Sequence, residues 1–290
     1  MSEDSMATPH ETHSRTMHVW SWSNAWALTR AGYTNSWQRL SATTLLLFAL
    51  NGVAMLPSMV FIMRATSPAG IPLPPGEPSQ LSPMFWLLIT LSTLAVSLPT
   101  SIGIPMCGLA AIDGKPMLME LFRPYRRLGI VIAIYLLGQL LSAAMLAVIG
   151  GGVMLGIALT LPFFGAAHQN WIIGIPLALI VLIAALFGIA WYFRVIVRCM
   201  FVAVVACDPA FHAPGIVDCF KISWLAMKGR EASVIGFMAM IAILAYLSIL
   251  LLGVGFIVIG FPLVMVALGA VYRLCVEPLA AARSGDHFTQ

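Results

Sequence analysis

Long apolar runs constrain this chain more than any other feature of its sequence. Residues 40–63 are uncharged, and residues 232–276 form an even longer apolar stretch. A transmembrane helix needs about 20 consecutive apolar residues, so both stretches are typical of membrane spans. The whole chain is 60% hydrophobic, with a mean hydropathy of +0.96 over 290 residues. The sequence therefore predicts one multi-span integral membrane domain, with no room for a separate soluble domain.

Charges, prolines and glycines divide the apolar sequence into predicted spans. Arg64 ends the first apolar run and a proline-rich loop follows it; Pro99 and Pro105 are expected to kink the second span. The glycines at 150–152 are expected to interrupt the third span, leaving residues 153–165 too short for another crossing. The predicted spans are residues 40–63, 82–112, 128–149, 172–198, 232–252 and 255–276.

One amphipathic segment precedes each pair of predicted spans. Residues 20–39 place Trp22, Trp26, Tyr33 and Trp37 on one narrow helical stripe, and aromatic rings of this kind favour the headgroup layer. The segments at 116–123 and 214–230 have a similar character. We predict an all-α domain at 20–276, built from three helical hairpins that each follow a surface helix. Residues 1–19 read as a disordered tail, and residues 277–290 as a cytoplasmic tail.

The distribution of basic residues predicts the orientation. With the spans as drawn, every Lys and Arg except Arg64 falls on one side of the membrane. The stretch "GKPMLMELFRPYRRLG" at 114–129 belongs to that side. The positive-inside rule then puts both termini in the cytoplasm, so the stretch is first a marker of topology.

Several classes of site are not indicated. The five cysteines contain no C-x-x-C pair, which argues against a disulfide framework or a structural zinc site and favours reduced thiols. His10, His13 and His18 lie in the polar tail, where no metal geometry is fixed. The net charge is +4, but basic residues in a membrane protein first set its orientation in the bilayer. The charge therefore does not indicate nucleic acid as a partner. No catalytic or cofactor-binding motif is present, and no cofactor is expected.

Arg194 and Arg198 are the leading candidates for a binding site. They lie four residues apart, on one face of a helix that we expect to continue from Ile172 towards Asp208. They serve either as headgroup anchors or as a pocket for phosphate, which guanidinium groups bind with two hydrogen bonds. With neighbouring cations they form a predicted basic shelf for an anionic phospholipid. Those neighbours are Arg123, Arg126, Arg127, Lys221 and Lys228.

Other polar residues support alternative functions. Asn51 and Gln139 either line a substrate path through the membrane or make hydrogen bonds between helices. Asp208 and His212 in "DPAFH" are either an acid–base pair or parts of a turn and helix cap. The sequence "GVMLG" at 152–156 is either a close-packing motif or part of a helix break.

Three stretches carry a resemblance to other proteins. They are the basic loop "DGKPMLMELFRPYRRLG", the run "YFRVIVRCMFVAVVACDPAFHAPGIVDCFKISWLAMKG" and the ending "LLGVGFIVIGFPLVMVALGAVYR". Together they resemble a loose group of uncharacterised six-span bacterial inner-membrane proteins, similar to the membrane region attached to some glycerophosphodiester phosphodiesterases. The resemblance implies an all-helical fold and a bacterial inner membrane. It carries over no activity, because the soluble phosphodiesterase domain is absent from this sequence.

From these features we expect a non-enzymatic, membrane-organising or lipid-interacting protein, with membrane lipids and possible membrane-protein partners. The first alternative is a transporter of a small or amphipathic substrate between the hairpins, because interrupted helices can form such a path. The second is an enzyme embedded in the membrane.

Overall fold

The structure, a computed structural model, describes residues 20–66, 83–165, 171–250 and 253–285. This part of the chain is almost entirely helical and contains no β-strand. In a bilayer the backbone must satisfy its own hydrogen bonds, which helices do. Among the described residues, six stretches are long and apolar enough to cross a membrane, so the predicted all-helical fold with six helices of membrane-spanning length is confirmed. They are Trp22–Leu56, Ile89–Ile112, Met117–Leu161, Ile172–Cys207, Glu231–Leu250 and Phe256–Ala280.

The predictions for residues 1–19 and for most of the proline-rich loop lie outside the described residues.

The first helix, α1, runs from Trp22 to Thr66 without a break and contains 45 residues. The prediction that the surface segment at 20–39 and the span at 40–63 are separate helices is therefore wrong, because both lie in one helix. No glycine or proline separates the two segments, so nothing in the chain ends the helix between them. At 1.5 Å per residue α1 is about 67 Å long, roughly twice the thickness of the hydrocarbon core.

The second apolar region contains a wide helical turn. Helix α2 (Pro83–Ser92) is followed by a π-helical turn at Thr93–Ser97 and then by α3 (Leu98–Ile112). Pro99 lies in the first turn of α3, where its missing N–H would interrupt regular bonding. The π-helical turn immediately before it accommodates this loss within one helical path.

The glycine run does not interrupt the third span. After α4 (Met117–Leu121) and a 3₁₀ turn at Arg123–Arg127, helix α5 extends from Leu128 to Gly165. The predicted break at 150–152 is therefore wrong, and residues 153–165 continue the same helix. Breaking the helix in lipid would leave backbone groups without partners, and that costs more than the low helix propensity of glycine.

The fourth helix ends earlier than expected. Helix α6 (Trp171–Cys199) stops at a turn, and the short helix α7 (Val202–Cys207) follows it. The predicted continuous helix from Ile172 towards Asp208 is therefore wrong. The side chain of Phe201 is fully buried and packs edge-on against Tyr272, with ring centroids 5.4 Å apart. Burial of Phe201 and of α7 gives the apolar residues 201–207 the protein cover that a straight helix would not supply.

Longer helices follow α7 in the described part of the chain. They are α8 (Ile216–Met227), α9 (Glu231–Leu247), α10 (Phe261–Cys275) and α11 (Glu277–Gly285). Gly253 lies in the turn after α9 with a φ of +74°, a backbone conformation that glycine adopts without strain. The segment 277–290, predicted as a tail, thus begins with a helix.

The centre of the bundle is the crossing of α3 and α10, on which α1 also packs. Gly108 and Gly269 lie at this crossing. A Cβ atom on Gly108 would collide with the carbonyl oxygen of Met265, and one on Gly269 would lie 2.5 Å from the backbone of Gly108. The two backbones are therefore in direct contact, which only small residues permit.

Helices α5 and α6 form an antiparallel pair beside this centre. Gly156 faces Val181, and Gly188 faces Ile149. Continuing this register along both helices places Gln139 opposite Arg198. The part of α5 that runs beside the apolar section of α6 is therefore about 144–165. Residues before it pack elsewhere: Val131 and Ile134 are buried in one cluster with α7.

Candidate functional site

Two arginines at the end of α6 share one buried carboxylate. Arg198 donates to Glu231 Oε1 from Nε at 2.6 Å and also from Nη2, and its side chain is largely buried. Arg194 Nε lies 3.7 Å from the same oxygen, and 53% of the Arg194 side chain is exposed. The single negative charge of Glu231 is thus taken mainly by Arg198. Arg194 remains a largely exposed cation.

Arg198 is also held by α8. Its guanidinium lies 4.5 Å from the centre of the Trp224 ring, a cation–π contact, and Ser223 Oγ donates to the Arg198 carbonyl oxygen at 2.7 Å. Arg198 therefore joins α6, α8 and α9. Arg198 thus positions these helices, whereas Arg194 makes only the longer contact with Glu231 and stays largely exposed.

The predicted cations of the 114–129 stretch have different surroundings. Arg123 Nη1 pairs with Glu120 Oε2 at 2.5 Å, and Arg127 Nη1 donates to the carbonyl oxygen of Ala206 at 2.7 Å. Arg126 is exposed and makes no ion pair with any described residue. Of these three cations, Arg126 is the most accessible to an anionic group.

Lys221 and Lys228 lie on the outward face of α8. Both are exposed, and neither forms an ion pair within the described part of the chain. The opposite face of α8 is buried and includes Cys219, where burial, followed by the negative charge of Asp218, raises the pKa of the thiol. Cys219 is therefore a buried thiol of low reactivity, and the two lysines are the charged groups of this segment that solvent can reach.

The two predicted path residues differ in their contacts. Asn51 Nδ2 donates to the Leu47 carbonyl at 2.9 Å and to Thr100 Oγ1 on α3 at 3.4 Å, a hydrogen bond between helices. Gln139 is exposed on α5, at the level of Arg198 by the register described above. That level is near the end of the bundle that carries Arg194, Arg198 and Glu231, which we call the charged end. Water and headgroups there can satisfy the Gln139 amide.

A second polar cluster was not predicted from the sequence. A cavity of about 50 Å³ lies between α3, the turn after it, α7 and α10. Its walls include Pro105 and Met106, and this volume suits a few water molecules. Beside it, Asp113 pairs with Arg273 and, at 3.0 Å, with Lys115. The charged and polar lining residues are Asp113, Lys115, Glu120, Arg123, Asp208 and Tyr272.

Asp208 uses both of its oxygens in this cluster. Tyr272 donates to Oδ2 at 2.6 Å, and the Ala210 N–H donates to Oδ1 at 2.9 Å. The second bond is the turn and helix cap that the Asp-Pro step favoured. His212 is exposed, has a φ of +50°, and makes no side-chain bond to Asp208. The structure thus does not bring together the acid–base pair. Within the described residues, no group of three metal-ligating side chains forms either.

Sequence reasoning missed Glu231, which organises both arginines. The residue stands 33 positions from Arg198 along the chain. A signal was present: Glu231 is an acid at the very start of a long apolar run, a position where a charge needs a partner. Nothing in the sequence identified which cation that partner is.

Comparison with known proteins gives no guide to function. No protein-family model, no curated protein and no solved structure matches this chain.

Proposed function

We propose that this is a non-enzymatic membrane protein that binds anionic lipid through its basic end, and so organises the membrane or its protein partners there. One observation carries the proposal. Among the described side chains, four of the six carboxylates are used in internal ion pairs, and seven of the twelve cations are left over. Asp113, Glu120, Glu231 and Glu277 are all paired with arginine or lysine.

Among residues with described side chains, the cations outside any ion pair outnumber the carboxylates outside any ion pair, which are Asp208 and Asp218. These cations give the end of the bundle a positive surface. Each basic residue near an anionic leaflet contributes about 1 kcal/mol of attraction. The unpaired cations are Arg30, Arg39, Arg126, Arg127, Lys221, Lys228 and Arg230.

The first part of α1 supports the same reading. Trp22, Trp26 and Trp37 are exposed there, together with Arg30 and Arg39. Exposed indoles beside arginines are typical of a helix segment in the headgroup layer. The charged end of the bundle therefore adjoins lipid headgroups along α1 as well as along α8.

The proposal includes a topology: three hairpins in a bacterial inner membrane, with both termini and the basic end in the cytoplasm. Single cysteines at positions 115 and 70 can be labelled in intact cells with an impermeant thiol reagent, in a background without native cysteines. We expect reaction at position 70 and none at position 115. The opposite pattern would overturn the topology.

Native mass spectrometry tests the lipid function. Purified protein is mixed with equal amounts of phosphatidylglycerol and phosphatidylethanolamine. We expect wild type to retain the anionic lipid preferentially. The combined variant Arg126→Gln, Lys221→Gln, Lys228→Gln should lose most of this preference. Arg64→Gln, at the far end of α1, should keep it. Equal retention of the two lipids by wild type would reject the proposal.

Two further measurements separate the alternative functions. Substrate-dependent flux in proteoliposomes would favour a transporter, and turnover lost in Asp208→Asn would favour an enzyme.

A further inference from the structure

Helix α8 presents an unusual outward face. Val217, Lys221, Trp224, Leu225 and Lys228 recur at helical spacing on the side that faces away from the core. Val217 and Leu225 are 65% and 59% exposed. Apolar side chains flanked by lysines on one exposed helix face are typical of a segment that meets the boundary between headgroups and acyl chains.

An open groove of about 360 Å³ lies on this face, lined by Phe220, Lys221, Trp224 and Leu225. The surface of the groove is almost entirely apolar, and Lys221 is the one charged residue among the four that line it. Lys221 makes no ion pair with a described residue, so its charge is available to a ligand. An apolar groove lined in part by an exposed lysine matches a lipid better than a free anion.

The groove is also fixed in place before any ligand binds. Arg198 lies over the Trp224 ring and is itself bonded to Glu231, so the cation that contacts the indole is held in place. An ordered side chain loses little conformational entropy when a ligand packs on it. Arg194 lies one helical turn before Arg198 and reaches the same carboxylate, which places a second exposed cation at this end of α6.

We infer that this groove binds one anionic phospholipid. Its phosphate lies against Lys221 and Arg194, and one acyl chain lies along Phe220, Trp224 and Leu225. The apolar section of α6 ends at Arg194, so the groove adjoins the hydrocarbon boundary, and an acyl chain can reach it from the bilayer. The inference rests on the proposed function and narrows it from a basic surface to one site.

Lys221 and Lys228 make a matched pair for the test. Both are exposed lysines without ion pairs to described residues, Lys221 within α8 and Lys228 at its C-cap, but only Lys221 lines the groove. Phosphatidylglycerol is titrated against the purified protein, and the dissociation constant of the first bound lipid is measured by native mass spectrometry. We expect Lys221→Gln and Arg194→Gln each to weaken binding about fivefold, and Lys228→Gln to change it less than twofold. Inorganic phosphate at millimolar concentration should not displace the lipid.

The outcomes separate the site from the general function. If Lys221→Gln and Lys228→Gln weaken binding equally, or if Lys221→Gln binds as wild type does, the groove is overturned while the basic surface stands. Displacement of the lipid by inorganic phosphate would overturn the lipid assignment and indicate a phosphate site. If wild type shows no preference for anionic lipid, the proposed function fails as well. Melting temperatures equal to that of wild type show that each variant is folded.

Discussion

The α3–α10 crossing and the α5–α6 pair are both apolar helix contacts, yet they are built in different ways. At the crossing, Gly108 and Gly269 bring two backbones into contact. In the spans that contain α3 and α10, 61% and 56% of an apolar 18-residue segment are buried. In the α5–α6 pair, Gly156 meets only the side chain of Val181, and the corresponding shares are 11% and 6%. The crossing is a core, and the pair is mostly a surface.

The comparison shows that hydropathy and burial are separate properties in this protein. The apolar segments of α5 and α6 have mean hydropathies of 2.2 and 2.9, and the segment that contains α3 has 1.6. The two more apolar segments are nevertheless far less buried. Lipid tails are as apolar as leucine, so apolar character does not drive helices together in a bilayer. Close contact needs small residues at the right positions, and the crossing has them in Gly108 and Gly269.

The largest expected effect comes from filling the crossing. Gly108→Ala should destabilise the protein by roughly 3 kcal/mol or more, because the new Cβ meets a carbonyl oxygen that cannot move independently of α10. Thermal unfolding in detergent, followed by circular dichroism, measures this. Gly138→Ala in α5 is the control, since nothing lies within 4 Å of its added Cβ. It should be neutral or stabilising by up to about 1 kcal/mol. Equal losses in both variants would remove the contrast between the regions.

The next effect concerns the link between the α5–α6 pair and the rest of the bundle. Glu231→Gln should cost about 2 kcal/mol, because it leaves the largely buried Arg198 without a counter-ion. The loss falls below that of a fully buried pair, since 15% of the Arg198 side chain is exposed. Chemical denaturation in detergent measures it. The double variant Glu231→Gln, Arg198→Gln should recover part of the loss, and no recovery would argue against the pair.

A smaller effect is expected inside the α5–α6 pair. Gly156→Ala should cost about 1 kcal/mol, because its new Cβ meets Val181 side-chain atoms at 2.7 Å, and that side chain can shift. Gly188→Ala meets Ile149 at 3.3 Å and should cost less. Melting temperatures of both variants, measured beside Gly108→Ala, would test the order. A loss at Gly156 as large as that at Gly108 would mean that the pair is packed like a core.

The smallest effect is expected from the one hydrogen bond seen between the described polar side chains of α5 and α6. Ser142 Oγ and Tyr192 OH lie 2.8 Å apart. Hydrogen bonds between membrane helices contribute about 0.6 kcal/mol on average. Tyr192→Phe should therefore lower the unfolding free energy by about that amount, measured by a double-mutant cycle with Ser142→Ala. A coupling above roughly 2 kcal/mol would contradict this description.

The sequence identified the basic residues of the candidate site but not which of them are held by internal contacts and which stay exposed. The i, i+4 spacing placed Arg194 and Arg198 on one face of a helix, and the structure keeps them together at the end of α6. That Arg198 is fixed by Glu231 while Arg194 stays exposed depends on contact between α6 and α9. Lys221 and Lys228 likewise looked equivalent in sequence, and only the packing of Phe220 and Trp224 gives Lys221 a groove.

By itself, the sequence determined that this chain is helical and multi-span, because long apolar runs enter lipid only with their backbone hydrogen bonds satisfied internally. The tertiary structure decided where those helices end and touch. The glycine run at 150–152 meets open space inside a continuous helix, while the isolated Gly108 and Gly269 make the closest contact described in the bundle. A glycine in sequence shows only that close approach is sterically possible. Whether another backbone occupies that space depends on the register of a second helix, which hydropathy does not encode because lipid and helix surfaces are equally apolar.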